Sequence, residues 1–167
     1  MSPLPEPEAT AEEISLLARR HGFIVAAAES LTGGKISSRL CAAESSSEWF
    51  AGGVVSYFSR VKREVLGVPE NTPVISEAAV SAMATGLANL MKADSTVAVS
   101  GAGGPEGQEG NPPGTTWIAV QVRGQIHTEL HHFPGAPEDI LAQTESHALH
   151  LLHQTMVENS HPDNAPH

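Results

Sequence analysis

Ser30 stands in Ala28-Glu29-Ser30-Leu31-Thr32-Gly33-Gly34, between a short apolar run and a helix-like segment. A strand that ends on a hydroxyl residue and turns through a glycine pair into a helix holds a side chain at a helix N-terminus. Unpaired N–H groups there favour an anion or a developing oxyanion. The same arrangement lets a serine act as a nucleophile. It also describes an ordinary N-cap and turn, so by itself the segment admits both readings.

Two further segments supply partners. Tyr57 closes a second apolar run, and Lys62 follows five residues later, close enough along a turn or short helix to point back at Ser30. A lysine beside a serine takes its proton when burial or a neighbouring donor lowers its pKa. Lysines are scarce: Lys35, Lys62 and Lys92 are the only ones, and Lys35, at the start of the helix after Gly34, is the alternative base. The third segment is Gly101-Ala102-Gly103-Gly104-Pro105. It lacks the third glycine and the following helix of a dinucleotide fingerprint, and the chain has no P-loop. Its backbone can still form a nest for phosphate. Taken singly, Lys62 reads as a solvated surface residue, Tyr57 as a half-buried strand aromatic and the glycine loop as a surface loop.

Histidines crowd the C-terminal third. His147, His150 and His153 are spaced by threes and drift around a helix. His131 and His132 point to opposite faces of a strand. Neither set converges, so no metal site is expected, and no cofactor.

The elements that position these residues follow from periodicity. Thr10-Ala11-Glu12-Glu13 reads as an N-cap and first turn of a helix to about Arg20, with Ile14, Leu17 and Ala18 on one face and Gly22 as its stop. Phe23–Ala28 is a buried strand, followed by a helix from Lys35 to about Ala42. Trp49–Phe58 reads as a second strand and 59–66 as a short helix. Ser76-Glu77 opens a helix with Val80, Met83, Ala84, Leu87, Leu90 and Met91 on one side. Thr96–Ser100 is a third strand. Thr115–Val122 and Ile126–Phe133 form a hairpin. Ala136 to about Met156 is the last helix. Strands alternating with helices, plus one hairpin, predict a single α/β domain over 10–157 with a mixed sheet, and flexible tails at 1–9 and 158–167.

Composition bounds the function. The chain has 167 residues, is 40% hydrophobic and carries a formal net charge of -10. One domain with one core fits that length. The acidic balance argues against a nucleic-acid partner, which needs a basic face, but leaves room for a small anion. Cys41 is the sole cysteine, so no disulfide forms within the chain; it reads as a packing residue. The N-terminus lacks the basic and apolar regions of a signal peptide, and no apolar run reaches membrane-span length. A soluble, cytoplasmic protein with no membrane partner is expected.

Together these segments resemble the CinA C-terminal domain family, whose characterised members are nicotinamide mononucleotide deamidases. The resemblance runs from about Ile14 to Leu152. It is carried by Ala28–Gly34, with Leu31 where the family has Cys; by Gly52-Gly53-Val54-Val55-Ser56-Tyr57 followed by Lys62; by Ile75-Ser76-Glu77; by Ser100–Pro105; and by Pro112-Pro113-Gly114-Thr115-Thr116-Trp117. Each motif is weak alone; five in order are specific. The resemblance implies a three-layer α/β/α sandwich, with Ser30 as nucleophile and Tyr57 and Lys62 as its partners. Thr32, Gly33 and Gly34 are then expected around the oxyanion, and Gly101, Gly103, Gly104, Thr32 and Thr115 around a substrate phosphate. There are departures: Ser59 replaces the family's Asn, and Leu141 and Ala142 stand where the family carries an arginine just before a Gln-Ala-Thr run. The amino-terminal domain of the long family members has no counterpart in this sequence.

Three functions fit these residues. One is a metal-independent serine amidohydrolase acting on a pyridine nucleotide. The second is a nucleotide-binding module without turnover. The third is a serine amidase for a less anionic amide. Self-association into a homo-oligomer is left open by the sequence.

Overall fold

Val25–Glu29 (β1) is buried at every residue, and three of its five side chains are alanines. A strand apolar on both faces needs a neighbour on each side and a layer above and below. β1 accordingly lies inside the sheet, parallel to Phe50–Val55 (β2) on one side and to Ser95–Gly101 (β3) on the other. Thr115–Val122 (β4) pairs antiparallel with β3, and Gln125–His132 (β5) antiparallel with β4. The order is β2-β1-β3-β4-β5. The computed structural model describes residues 3–160.

Helices cover both faces. Pro7–His21 (α1), Lys35–Cys41 (α2) and Pro137–Glu158 (α5) pack over one, where Ile14, Ile36, Leu40, Leu149 and Leu152 meet Val25, Ala27, Val97, Ile118 and Val120. The short helix Ser59–Glu64 (α3) precedes Glu77–Met91 (α4) in the chain, and α4 covers the other side. There Leu66, Val80, Met83 and Leu87 meet Ala26, Ala28, Ala98 and Ala119. The expected three-layer α/β/α sandwich with a mixed sheet is the architecture found. Ser76 caps α4 by accepting from the Ala79 N–H at 3.1 Å, and Gly22 ends α1 in the left-handed region at φ 73°.

Several boundaries differ from the sequence reading. α1 begins at Pro7 rather than Thr10, because proline at the first helical position needs no N–H partner; the expected tail beyond Ser160 lies outside the described residues. β2 stops at Val55, so Tyr57 and Phe58 are not strand residues. Both are exposed. Leu90, expected on the inner face of α4, is exposed. Cys41 is exposed rather than packed: α2 is short and buries only Ile36 and Leu40.

The three parallel strands end at one edge of the sheet. The residues that follow β1, β2 and β3 therefore gather there, which is where open α/β sheets place their ligands.

Candidate active site

The turn after β1 is organised by a residue to which the sequence reading gave no role. Glu29, fully buried, accepts four hydrogen bonds through its carboxylate. They come from the Thr32 hydroxyl at 2.6 Å and from the backbone N–H groups of Gly34, Ile36 and Ser37 at 3.2, 3.0 and 2.8 Å. The anion at the N-terminus of α2 is thus the protein's own carboxylate. Its place at the end of an unbroken apolar run is the available signal: an acid closing a fully buried strand must find several donors.

This corrects the expected oxyanion and phosphate donors. The Gly34 N–H is spent on Glu29 and the Gly33 N–H on the Ser30 carbonyl, at 3.1 Å. Gly33 and Gly34, at φ 59° and 109°, make the left-handed turn that only glycine adopts without strain. They line a separate depression with Lys35, Arg39 and Glu145. The Thr32 hydroxyl belongs to Glu29, and the Thr115 hydroxyl donates to the Pro112 carbonyl at 2.9 Å. Neither threonine lines the cleft described next.

Ser30 opens into a cleft of about 430 Å³. Its walls are Leu31, Tyr57, Gly101, Gly103, Gly104, the 106–108 segment, Pro137 and Leu141. The three loop glycines expected at the site are there. Among the described residues, the wall amides of Leu31, Gly103, Gly104, Glu106 and Gly107 donate to no hydrogen-bond acceptor. Glu106 is the one charged residue of the wall. Leu141, not Ala142, faces the cleft from α5; Ala142 is exposed elsewhere.

Lys62 meets Ser30 from α3. Its side chain is only 2% exposed, against the expectation for a lone surface lysine. Nζ lies 3.0 Å from Ser30 Oγ and donates to the Ser56 carbonyl at 2.6 Å. Ser56, fully buried, fixes that carbonyl: its N–H and its hydroxyl both donate to the Glu29 carbonyl, at 2.7 and 3.0 Å. Burial pushes the Lys62 pKa below the usual lysine value; the Glu109 carboxylate acts in the opposite direction, and Arg63 adds to the lowering. Glu109 is itself held by the Val74 and Ile75 amides at 3.2 and 2.8 Å. Lys35, the alternative base, is exposed and lines the other depression. Tyr57 stands on the cleft wall, 74% exposed, and its hydroxyl contacts neither Ser30 nor Lys62.

The arrangement can ionise a serine hydroxyl without a histidine. A buried amine with one N–H tied to a carbonyl keeps a lone pair for the hydroxyl proton once it is neutral.

The profile of the CinA C-terminal domain family matches residues 7–156. "Protein YdeJ" of Escherichia coli strain K12 is 38% identical over 135 residues, 78% of either chain. "Nicotinamide-nucleotide amidohydrolase PncC" of the same strain is 34% identical over 155 residues, covering 89% of this chain and 94% of that protein. The crystal structure of the competence-damaged protein (CinA) superfamily protein KP700603 from Klebsiella pneumoniae 700603 superposes with a TM-score of 0.88. It is 34% identical, over 92% of this chain and 99% of that one. Against the longer "Putative competence-damage inducible protein" of Bacillus subtilis strain 168, the match spans 35% of the relative.

Proposed function

The chain belongs to the CinA C-terminal domain family, and from that premise we propose that it is an amidohydrolase using Ser30 as nucleophile and Lys62 as base. The observation that carries the proposal is the 3.0 Å contact between Lys62 Nζ and Ser30 Oγ on a buried lysine. The relative named as a nicotinamide-nucleotide amidohydrolase supports a pyridine nucleotide carboxamide as substrate.

In this reading the neutral Lys62 amine accepts the Ser30 hydroxyl proton as Oγ attacks the carboxamide carbon. The carbonyl π electrons move to oxygen, and the oxyanion is met by unpaired amides of the cleft wall, such as those of Leu31 and Gly103. Lys62 then returns the proton to the leaving nitrogen, and ammonia departs. A serine ester remains. Water attacks it, giving a proton to Lys62, and as the C–O bond to Ser30 breaks Lys62 returns that proton to Oγ, releasing the carboxylic acid product and restoring the neutral amine. Tyr57 stands on the same wall and assists the proton transfers in this reading once its exposed side chain turns toward Ser30.

A second reading concerns the substrate and rests on the cleft wall. Glu106 is its charged residue, and Leu141 presents an apolar side chain toward it. A phosphate would find backbone donors but no cation there, which favours an amide with less negative charge.

The test is ammonia release from a panel containing nicotinamide mononucleotide, its nucleoside, nicotinamide and simple aliphatic amides. Turnover of the mononucleotide supports the first reading, and preference for the nucleoside or a neutral amide the second. Tight nucleotide binding with no ammonia from any amide would replace both by a binding module.

A further inference from the structure

The histidines that converge nowhere within one element converge between two. Along β5, His127, Glu129 and His131 share a face, as alternate strand residues must. That face looks toward α5. His131 Nε2 lies 3.0 Å from Glu129 Oε1, and the rings of His131 and His147 are 4.5 Å apart between centroids. One donor atom from each of Glu129, His131 and His147 lies within 4.8 Å of the other two. Phe133 stacks on the His131 ring at 4.7 Å and 10°, fixing its plane, and meets His147 at 5.1 Å.

We propose that Glu129, His131 and His147 bind a divalent transition-metal ion of the zinc class, clamping the edge strand β5 to α5. Two imidazoles and one carboxylate are the donor set such ions prefer, and imidazole disfavours magnesium and calcium. Bonds of about 2.0–2.1 Å require tetrahedral donors roughly 3.3 Å apart. The His131–Glu129 pair is already near that spacing at 3.0 Å, and the His147 donor, within 4.8 Å of both, has to close the remaining gap when an ion binds. All three residues are half-buried, so an ion can enter and a water can complete its shell. His150 and His153 line a different hollow, with Pro5 and Glu13, and take no part. The site is independent of the Ser30 cleft and of any activity there.

The test uses the full chain, stripped with a chelator and titrated calorimetrically with zinc chloride, and separately with magnesium chloride. One equivalent of zinc is expected to bind and to raise the melting temperature; magnesium should do neither. His131→Ala, His147→Ala and Glu129→Gln should each weaken that binding at least about tenfold, whereas His150→Ala and His153→Ala leave it unchanged. Should an alanine variant fail to fold, judged by circular dichroism without metal, His147→Gln replaces it. Cobalt(II) supplies an independent readout: intense visible bands of a four-coordinate ion are expected with the wild type. Zinc binding equal in wild type and the His131 and His147 variants, no zinc binding, or only the weak bands of hydrated cobalt would overturn the proposal.

Discussion

Lys62 Nζ touches both Ser30 Oγ and the Ser56 carbonyl, at 3.0 and 2.6 Å, from a helix that follows β2 rather than β1. The proposed nucleophile and its proposed proton acceptor thus follow neighbouring parallel strands, and Glu29 joins the two. Its carbonyl holds Ser56 while its carboxylate holds the turn after Ser30.

Ser30→Ala should reduce ammonia release by several orders of magnitude while leaving the melting temperature within a few degrees. The hydroxyl's hydrogen-bond partner is Lys62, which retains Ser56. Activity within about tenfold of wild type would remove Ser30 from the nucleophile role.

Lys62 should set the acid limb of the pH–rate profile. Its pKa is lowered by burial, so kcat/KM should rise with pH to a plateau whose midpoint lies below the ordinary lysine value of 10.5. Lys62→Arg should abolish that limb together with the activity, since arginine does not release its proton. The stability consequence has a defined sign. Between the folded and unfolded pKa values the unfolded chain holds the extra proton, so wild-type stability rises with pH there. In chemical denaturation, Lys62→Met should remove that rise. A variant with an unchanged slope would mean that Lys62 titrates as an exposed lysine does.

Glu29→Gln should lower stability by about 2–4 kcal/mol, since a buried amide cannot satisfy four donors arranged around a carboxylate. Urea denaturation measures it. A loss under about 0.5 kcal/mol would show that the turn after β1 is held by other contacts.

Leu141→Arg should lower the Michaelis constant for a phosphorylated substrate about tenfold, the value of one charge-assisted hydrogen bond, and barely change that of the dephosphorylated form. Ala142→Arg, outside the cleft, should do little to either. Arg39 and Arg60 are committed to Glu8 with Glu145 and to Glu64, respectively. An equal effect of Leu141→Arg on both substrates would show that the phosphate does not approach α5.

The order and type of the main elements were legible because apolar runs and helical spacing are local properties. The pairing of Ser30 with Lys62 was legible as a possibility of topology, yet Lys62 by itself looked like any surface lysine. Its burial arises where the turns after β1 and β2 meet, against Ser30 and Ser56, a meeting that no local pattern encodes. Thr32, Gly33 and Gly34 were misread for a related reason. Their types suited an anion, and the anion that claims Thr32 and Gly34 is Glu29, three and five residues away. The arginine position was narrowed to Leu141 or Ala142 by sequence, and only helical phase against the loop glycines separates them. His131 and His132 do face opposite ways, as alternation requires. What periodicity within one element does not reveal is that His147 lies opposite the first of them.

The alanines of β1 have a consequence for how such a protein can diversify. Ala26 and Ala28 face one helical layer and Ala27 the other, all fully buried, and a Cβ on the adjacent Gly53 would collide with Ser37 Oγ. Adding even a methyl group here forces the layers apart and typically costs about 1–3 kcal/mol. The strand that delivers Ser30 therefore has almost no mutational latitude. The opposite wall is built from a loop and a helix end, where Glu106, Gln108 and Leu141 can change without disturbing a packed layer. Descendants of this scaffold are free to explore new substrates on one wall while the other stays frozen.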